Sequence, residues 1–361
     1  MKIVEMEAGS AYTKRLPRGC VLCRPGSKLV LLATGRCSTG CFYCPLSKKK
    51  RGRDVVYADE LKVNENADIL LEASLIKAKG TGITGGDPLC ELDRVLRFIR
   101  LLKKELGPQH HVHLYTSSID RKAYLRLQRA GLDELRIHPE LKHWKRMERT
   151  GLEEAVHGLR MKIGIEVPSI PGEEGATEAL IRYVERIGLD FVNLNELEFS
   201  ETNCKRLEGR GIEAKDDISA AAKGSEELAS KMLRLGVRIP IHYCSSAFKD
   251  SVQLKNRIMR RAKSVAREGD VITEEGTLLK GVVEGRSASK AKKLFAENYD
   301  VPERLMHWDA EKRRLEVAPW VLQEISSQLP FDSYIVEEYP TADRLEVERE
   351  RLKGGKKGMQ G

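Results

Sequence analysis

The sequence predicts an α/β protein whose larger part is a parallel sheet flanked by helices, followed by a smaller α+β domain. Two observations carry that expectation. From residue 28 to about 243, short apolar, β-branched runs alternate with amphipathic helical stretches, the order that successive βα units produce. From about residue 270 the order becomes β-α-β-β-α-β, the split unit of ferredoxin-like domains. At 361 residues and 41% hydrophobic content, the chain can bury one large core and a smaller second one.

Taken in order, residues 1–27 form an extension without strong periodicity that contains Cys20 and Cys23. Strands are expected at 28–34, 80–84, 111–116, 134–138, 162–167, 190–195 and 237–243, and helices at 65–78, 91–106, 120–131, 144–160, 175–188 and 218–235. The helix over 91–106 shows the signal clearly. Leu92, Val95, Leu96, Ile99, Leu102 and Leu106 recur at three- and four-residue spacing, with Arg94, Arg97, Lys103 and Lys104 on the other faces. The larger domain is expected to end near residue 268, after the basic helix Ser251 to Arg267. The smaller one spans 269–340, with strands at 278–284, 304–309, 313–318 and 333–338 and helices at 288–298 and 319–329. It lacks the aromatic pattern of an RNA-recognition motif. Residues 341–361, with the basic run Lys353 to Lys357 and several glycines, read as a disordered tail.

The composition narrows the class. No run of about 18 apolar residues exists to span a membrane, and Met1 to Ser10 lacks the basic and apolar regions of a signal peptide, so a cytoplasmic location is expected. The eight cysteines are too sparse for a disulfide scaffold, and their clustering as 20/23 and 37/41/44 suits metal in a reducing compartment. The net charge of +9 fits either nucleic-acid affinity or solubility. Its informative part is Lys48-Lys49-Lys50-Arg51-Gly52-Arg53, beside the cysteine loop, where charge can steer an anionic partner.

The chemistry centres on Cys37-Ser38-Thr39-Gly40-Cys41-Phe42-Tyr43-Cys44, immediately after the first apolar run. Three thiolates in a CxxxCxxC array hold three irons of a four-iron cluster and leave one iron with an open position. A zinc knuckle or a disulfide pair is the structural alternative. At these residues the sequence resembles the radical S-adenosylmethionine (SAM) superfamily, with Tyr43 at the aromatic position of its motif. It is most similar there to archaeal-type proteins related to the pyruvate formate-lyase activating enzyme. The resemblance implies a partial (β/α)6 barrel over residues 28–268 and a [4Fe–4S] cluster whose open iron is chelated by SAM. It also implies a one-electron donor of flavodoxin or ferredoxin type, and cleavage of SAM to methionine and a 5′-deoxyadenosyl radical. Gly85-Gly86-Asp87-Pro88 is similar to the family's element that binds the SAM amino group, with Asp87 in place of the usual glutamate.

Other candidates follow from position, because loops at the carboxyl ends of parallel strands converge on a ligand. Ser117, in Tyr115-Thr116-Ser117-Ser118, offers a hydroxyl, while Ser118 and Asp120 suit a helix N-cap. Glu166 either faces the interior and binds a ligand or pairs with a buried cation such as Arg136. Asn193 and Asn195 share one face of their strand. His242, by resemblance, approaches adenine, and the plain alternative is a hydrogen-bonded core histidine. The long connection 200–217 has the length of a lid. Cys20, Cys23 and Cys244 are expected to meet as a second site for an Fe–S cluster or zinc, with Cys204, Cys90 or His242 as fourth ligand; an inert thiol pair is the alternative.

The expected function is reductive SAM cleavage with a radical acting on RNA or another macromolecule, such as tRNA or a protein. Activation of a glycyl-radical enzyme is the alternative within the family. A non-catalytic, metal-stabilised RNA-binding protein is the alternative of another class.

Overall fold

The structure, a computed structural model, describes residues 2–284, 288–330 and 332–352. The chain forms two compact units, Met1–Leu254 and Lys255–Gly361. The boundary lies ahead of the basic helix rather than behind it, so Lys255–Val265 belongs to the second unit.

The first unit contains strands β1 (Ile3–Glu5), β2 (Ala11–Thr13), β3 (Lys28–Thr34), β4 (Tyr57–Ala58), β5 (Leu61–Lys62), β6 (Gly80–Gly85), β7 (His111–Thr116), β8 (Glu134–Ile137), β9 (Lys162–Ser169), β10 (Phe191–Glu196) and β11 (Ile241–Cys244). They form one sheet in the order β1-β2-β11-β10-β9-β8-β7-β6-β3-β4-β5. From β3 to β11, neighbours in this order are parallel, and β1/β2 and β4/β5 extend the two edges as antiparallel pairs. The edge strands are too short for a sequence signal, and the β1–β2 pair draws the N-terminal extension into the sheet beside β11.

Because side chains alternate across a strand, each parallel strand presents two different surfaces. Leu29 and Leu31, Val112 and Leu114, Leu135 and Ile137, Ile163 and Ile165, Val192 and Leu194, and Ile241 lie in the apolar core. Helices α2 (Asn66–Leu75), α3 (Leu92–Glu105), α4 (Arg121–Ala130), α5 (Leu152–Val156), α6 (Glu174–Ile187), α7 (Cys204–Glu208) and α8 (Ser225–Leu233) add Ile69, Val95, Ile99, Tyr124, Leu127, Leu180, Val184 and Leu228 to that core. The alternate positions carry Lys28, His113, Arg136, Glu166, Asn193 and His242, all buried. An earlier helix, α1 (Arg18–Cys23), lies on this polar face. Its Gly19 amide donates to Glu134 Oε2 at 3.3 Å, Arg136 and Asn193 reach its Cys20, and a Cβ built on Gly80 would lie 2.9 Å from its Leu22.

Two expected helices differ. The 144–160 stretch is a 3-10 helix over Leu141–Arg149, kinked at Arg146, and then α5; Gly151, at φ 69, separates the two. The 218–235 stretch is helical only from Ser225, because Ala221 and Ala222 form bridges with Glu198 and Ala214 and Gly224 turns the chain at φ 84. The last parallel strand begins at Ile241 instead of 237, after Pro240, which has no amide hydrogen for a sheet ladder.

The second unit contains strands β12 (Val271–Ile272), β13 (Leu278–Glu284), β14 (Met306–Asp309), β15 (Arg314–Val317), β16 (Asp332–Glu338) and β17 (Glu346–Arg351), antiparallel in the order β14-β15-β13-β16-β17, with β12 on β13. Val283, Phe295, Leu315, Val317, Leu322 and Ile325 form its core with the helices Ala288–Asn298 and Pro319–Ile325. Lys280 lies 3.2 Å from Glu316 and 2.9 Å from Glu338, and Arg314 donates to both carboxylates at 2.8 Å. The expected disordered tail is corrected in part, because β17 pairs with β16. Residues 353–361, with the basic run Lys353 to Lys357, lie outside the described residues.

Candidate active site

The cysteine loop leaves β3 through a tightly packed base. The Gly35 amide donates to the Arg53 carbonyl at 2.9 Å, and Gly52 returns a bond to the Gly35 carbonyl at 2.8 Å. Arg94 donates to both oxygens of Asp54, at 2.5 and 3.0 Å, and the Thr34 hydroxyl reaches the same carboxylate. The Gly85-Gly86 turn closes against this base. A Cβ on Gly85, which sits at φ 150, would lie 2.1 Å from the Thr34 carbonyl oxygen, and one on Gly86 would lie 2.2 Å from that of Arg36. Two glycines are therefore needed for the turn to approach the cysteine loop.

The far side of the loop is held by the long connection after β10. Asn203 donates to the Tyr43 carbonyl at 3.0 Å, Arg206 to the Cys41 carbonyl at 3.0 Å, and the Arg210 guanidinium lies 4.1 Å from the centre of the Phe42 ring. This part of the expected lid is a clasp on the cysteine loop. Lys48 pairs with Glu201 at 2.5 Å, and Lys50 lies 4.6 Å over the Tyr57 ring, so part of the basic run is engaged locally.

Cys37, Cys41 and Cys44 are free thiols that line one cavity of about 670 Å³. Thr39 Oγ1 lies 3.1 Å from the Cys37 sulfur and 3.7 Å from that of Cys41. Gly85, Gly86, Ser117, Glu166, Asn195 and Tyr43 line the same cavity. Burial raises the Cys41 pKa, yet hydrogen bonds from His138, Thr39 and Tyr43 outweigh it and hold the thiol below its usual value. Three free thiols on one loop, opening on a single cavity, are the soft donor set that an iron–sulfur cluster takes.

The other expected residues divide. Glu166 is both paired and cavity-facing. Its Oε2 accepts from Arg136 at 2.6 Å and from Asn193 at 2.8 Å, while Oε1 accepts from Asn195 at 2.9 Å. Burial alone would raise its pKa, but Arg136, Asn195 and Asn193 hold it at about 2. Asp87 is absent from the cavity lining and is fully occupied elsewhere. Its carboxylate accepts from the hydroxyls of Thr116, Ser117 and Ser118 at 2.7, 2.7 and 2.9 Å, and from the amides of Ser117, Ser118 and Leu89. It positions the loop after β7 rather than presenting a carboxylate to a cofactor. Ser118 spends its hydroxyl on Asp87 instead of capping, and Asp120 caps α4 through the Ala123 amide at 3.1 Å.

Asn193 and His242 lie on the polar face but not in the cavity lining, and neither ring nitrogen of His242 has a hydrogen-bond partner. Cys20, Cys23 and Cys244 are likewise outside the lining. Among the described residues, no three His, Cys, Asp or Glu side chains are gathered at metal-binding distance, the cysteine-loop thiols included.

His138 was given no role in the sequence reading although it immediately follows β8, where the carboxyl-end rule points. Its Nε2 lies 2.9 Å from the Tyr43 hydroxyl and its Nδ1 2.8 Å from the Glu166 carbonyl oxygen. Lys249 and Glu198, paired at 2.6 Å on the cavity wall, carried no local signal.

A βα-ordered parallel sheet with a CxxxCxxC loop on its first strand defines the class as radical SAM. Residues 31–161 match the Radical SAM superfamily, and residues 276–352 match a domain of unknown function (DUF8061). The chain is 38% identical over 351 residues to a Methanocaldococcus jannaschii protein provisionally named as a glycyl-radical enzyme activating enzyme, covering 93% of this chain and 92% of the relative. The chain belongs to the radical SAM superfamily and is an enzyme of that chemistry, which uses a [4Fe–4S] cluster and SAM. Among solved structures it is similar to the FeFe-hydrogenase maturase HydG from Carboxydothermus hydrogenoformans, at 16% identity and TM-score 0.37 over 49% of this chain and 46% of that one. It is also similar to anSMEcpe with bound AdoMet and the Cp18Cys peptide, at 13% identity and TM-score 0.40 over 70% and 72%. No helix among the described residues is long and apolar enough to cross a membrane.

Proposed function

We propose that Cys37, Cys41 and Cys44 ligate three irons of the cluster, that SAM lies against Gly85, Gly86 and Ser117, and that the substrate is a protein on which a glycyl radical is formed. One observation carries the cofactor assignment: the three thiols and those SAM-facing residues line the same cavity. When bound, the cluster supplies an electron, drawn from a flavodoxin- or ferredoxin-type donor, that cleaves SAM to methionine and a 5′-deoxyadenosyl radical able to take a substrate hydrogen atom. The chain's own residues fix the surroundings. Tyr43 and His138 brace the cysteine loop, Asp87 sets the Ser117 loop, and Glu166 with Asn195 gives the cavity a fixed anion and an amide.

The consecutive parallel order β3 to β11 supports the partial (β/α)6 barrel of the family, with β11 as a seventh strand. The order β14-β15-β13-β16 supports a ferredoxin-like second domain. The relative's name favours a protein substrate over RNA. The local engagement of Lys48 and Lys50 supports it too, since charges already paired contribute less to polyanion binding. The non-catalytic alternative falls with superfamily membership.

The test is deoxyadenosine formation by anaerobically reconstituted enzyme with dithionite, adding total protein, total tRNA or a metabolite extract in turn. Stimulation by protein, with the electron-spin-resonance doublet of a glycyl radical in that fraction, is the expected result. Stimulation by tRNA alone would overturn the substrate assignment while leaving the cofactor assignment intact.

A further inference from the structure

Away from the cavity lining, the polar face holds a second group of thiols that the cluster chemistry does not use. Cys20 and Cys23 lie three residues apart on α1 and so point to the same side of the helix. His242 and Cys244, two residues apart on β11, share a face of their strand. One side chain stands between the two pairs: Gln253 Oε1 lies 2.8 Å from the Cys23 sulfur, and Gln253 Nε2 lies 3.4 Å from that of Cys244. The Cys20 sulfur is 3.4 Å from Arg136 Nη2 and 3.4 Å from Asn193 Nδ2, and Asn193 is the register partner of His242.

The independent observation is His242 itself. It is 3% exposed, and neither of its ring nitrogens has a hydrogen-bond partner. A buried polar atom left unmatched is costly, and an imidazole on the same strand face as Cys244 has the chemistry of a zinc ligand. We propose that Cys20, Cys23, Cys244 and His242 bind one soft divalent ion of the zinc class, at a site separate from the iron–sulfur cluster.

A single ion fits better than a second cluster. None of the four residues lines the large cavity, and a single carboxamide, that of Gln253, bridges the Cys23 and Cys244 sulfurs, a separation suited to one ion rather than a cluster. Gln253 sits in the π-helical segment Lys249–Leu254, a kind of irregularity common at functional sites, and its flexible side chain can turn away. The thiols close on the ion as it binds, releasing their protons to solvent, and the Arg136 guanidinium offsets the resulting negative charge.

The experiment uses the full chain with Cys37, Cys41 and Cys44 all changed to Ala, so that the iron–sulfur cluster is absent. Zinc titration is expected to give about one bound equivalent. Cobalt in its place is expected to show thiolate charge-transfer bands and the visible bands of tetrahedral coordination. Adding Cys23→Ser or Cys244→Ser should abolish the bands. Adding Gln253→Ala, which removes the wedge without touching a ligand, should raise zinc affinity several-fold. Absence of bound metal in the folded triple variant overturns the site, as does retention of the cobalt bands after Cys23→Ser and Cys244→Ser. An unchanged affinity in Gln253→Ala also counts against it. None of these outcomes bears on SAM cleavage, which is read in the native cysteine-loop protein.

Discussion

Cys41 and Glu166 share a cavity, and their replacement should fail in different ways. If Cys41 is one of the three proposed iron ligands, Cys41→Ala is expected to drop SAM cleavage to background and lower iron content, with the melting temperature little changed. Retained deoxyadenosine formation would refute the assignment. Glu166→Gln strikes a buried ion pair and is expected to cost about 3–5 kcal/mol at neutral pH, because Arg136 is left without its full countercharge. The native carboxyl is held at about 2, below its ordinary value of 4.5. A depressed carboxyl contributes its full stability above the unfolded value and loses it as pH falls from 4.5 towards 2. Acid denaturation curves should therefore be flatter in that window for Glu166→Gln than for the native protein. The grouping of Cys37, Cys41 and Cys44 on one loop was legible from their spacing, and the structure sets all three on one cavity. Glu166 was legible because a carboxylate in an apolar strand needs a partner. The structural use of Asp87 was not, since five bonds to a loop about thirty residues away leave no mark on the local sequence.

The cysteine loop depends on an element that sequence could not connect to it. Asn203 is fully buried and joins the carbonyls of Tyr43 and Glu198, at 3.0 and 2.9 Å, while accepting from the Ser200 amide. Asn203→Ala is expected to leave those groups unmatched at a cost of about 1–3 kcal/mol. It should speed loss of iron from the reconstituted enzyme several-fold, read by chelator challenge; an unchanged rate would show that the clasp does not matter to the cluster. Long periodic elements such as α3 were read to within a residue. The stretch after β8 was misread because the apolar spacing around Trp144 and Met147 suits one helix, while Gly151 breaks it in two. Burial of Trp144 and Met147 outlasts the break, so periodicity survived where helical continuity did not.

At the scale of the molecule, polar and apolar faces of a single sheet divide the labour. The division was visible in the alternation of strands such as Phe191-Val192-Asn193-Leu194-Asn195, but the placement of α1 on the polar side was not, because six residues carry no usable periodicity. Charge is distributed with the same economy. With Lys49, Arg51 and Arg53 all changed to Glu, the salt dependence of tRNA binding is expected to stay as shallow as in the native protein. A slope reduced by about one for each reversed residue would return RNA to the place of substrate.

Helix α1 also gives the interior a floor. It packs on the polar face from Gly80 of β6 to Asn193 of β10, while the cavity is lined by the cysteine loop, so SAM and substrate are expected to enter on that side. Whatever sits deeper must arrive first and depart last, which turns shape into a queue. Binding of SAM and substrate should then be compulsory in order, and isotope trapping of prebound SAM, with substrate added second, should capture nearly all of the label. Equal trapping from either starting complex would mean that another way in exists.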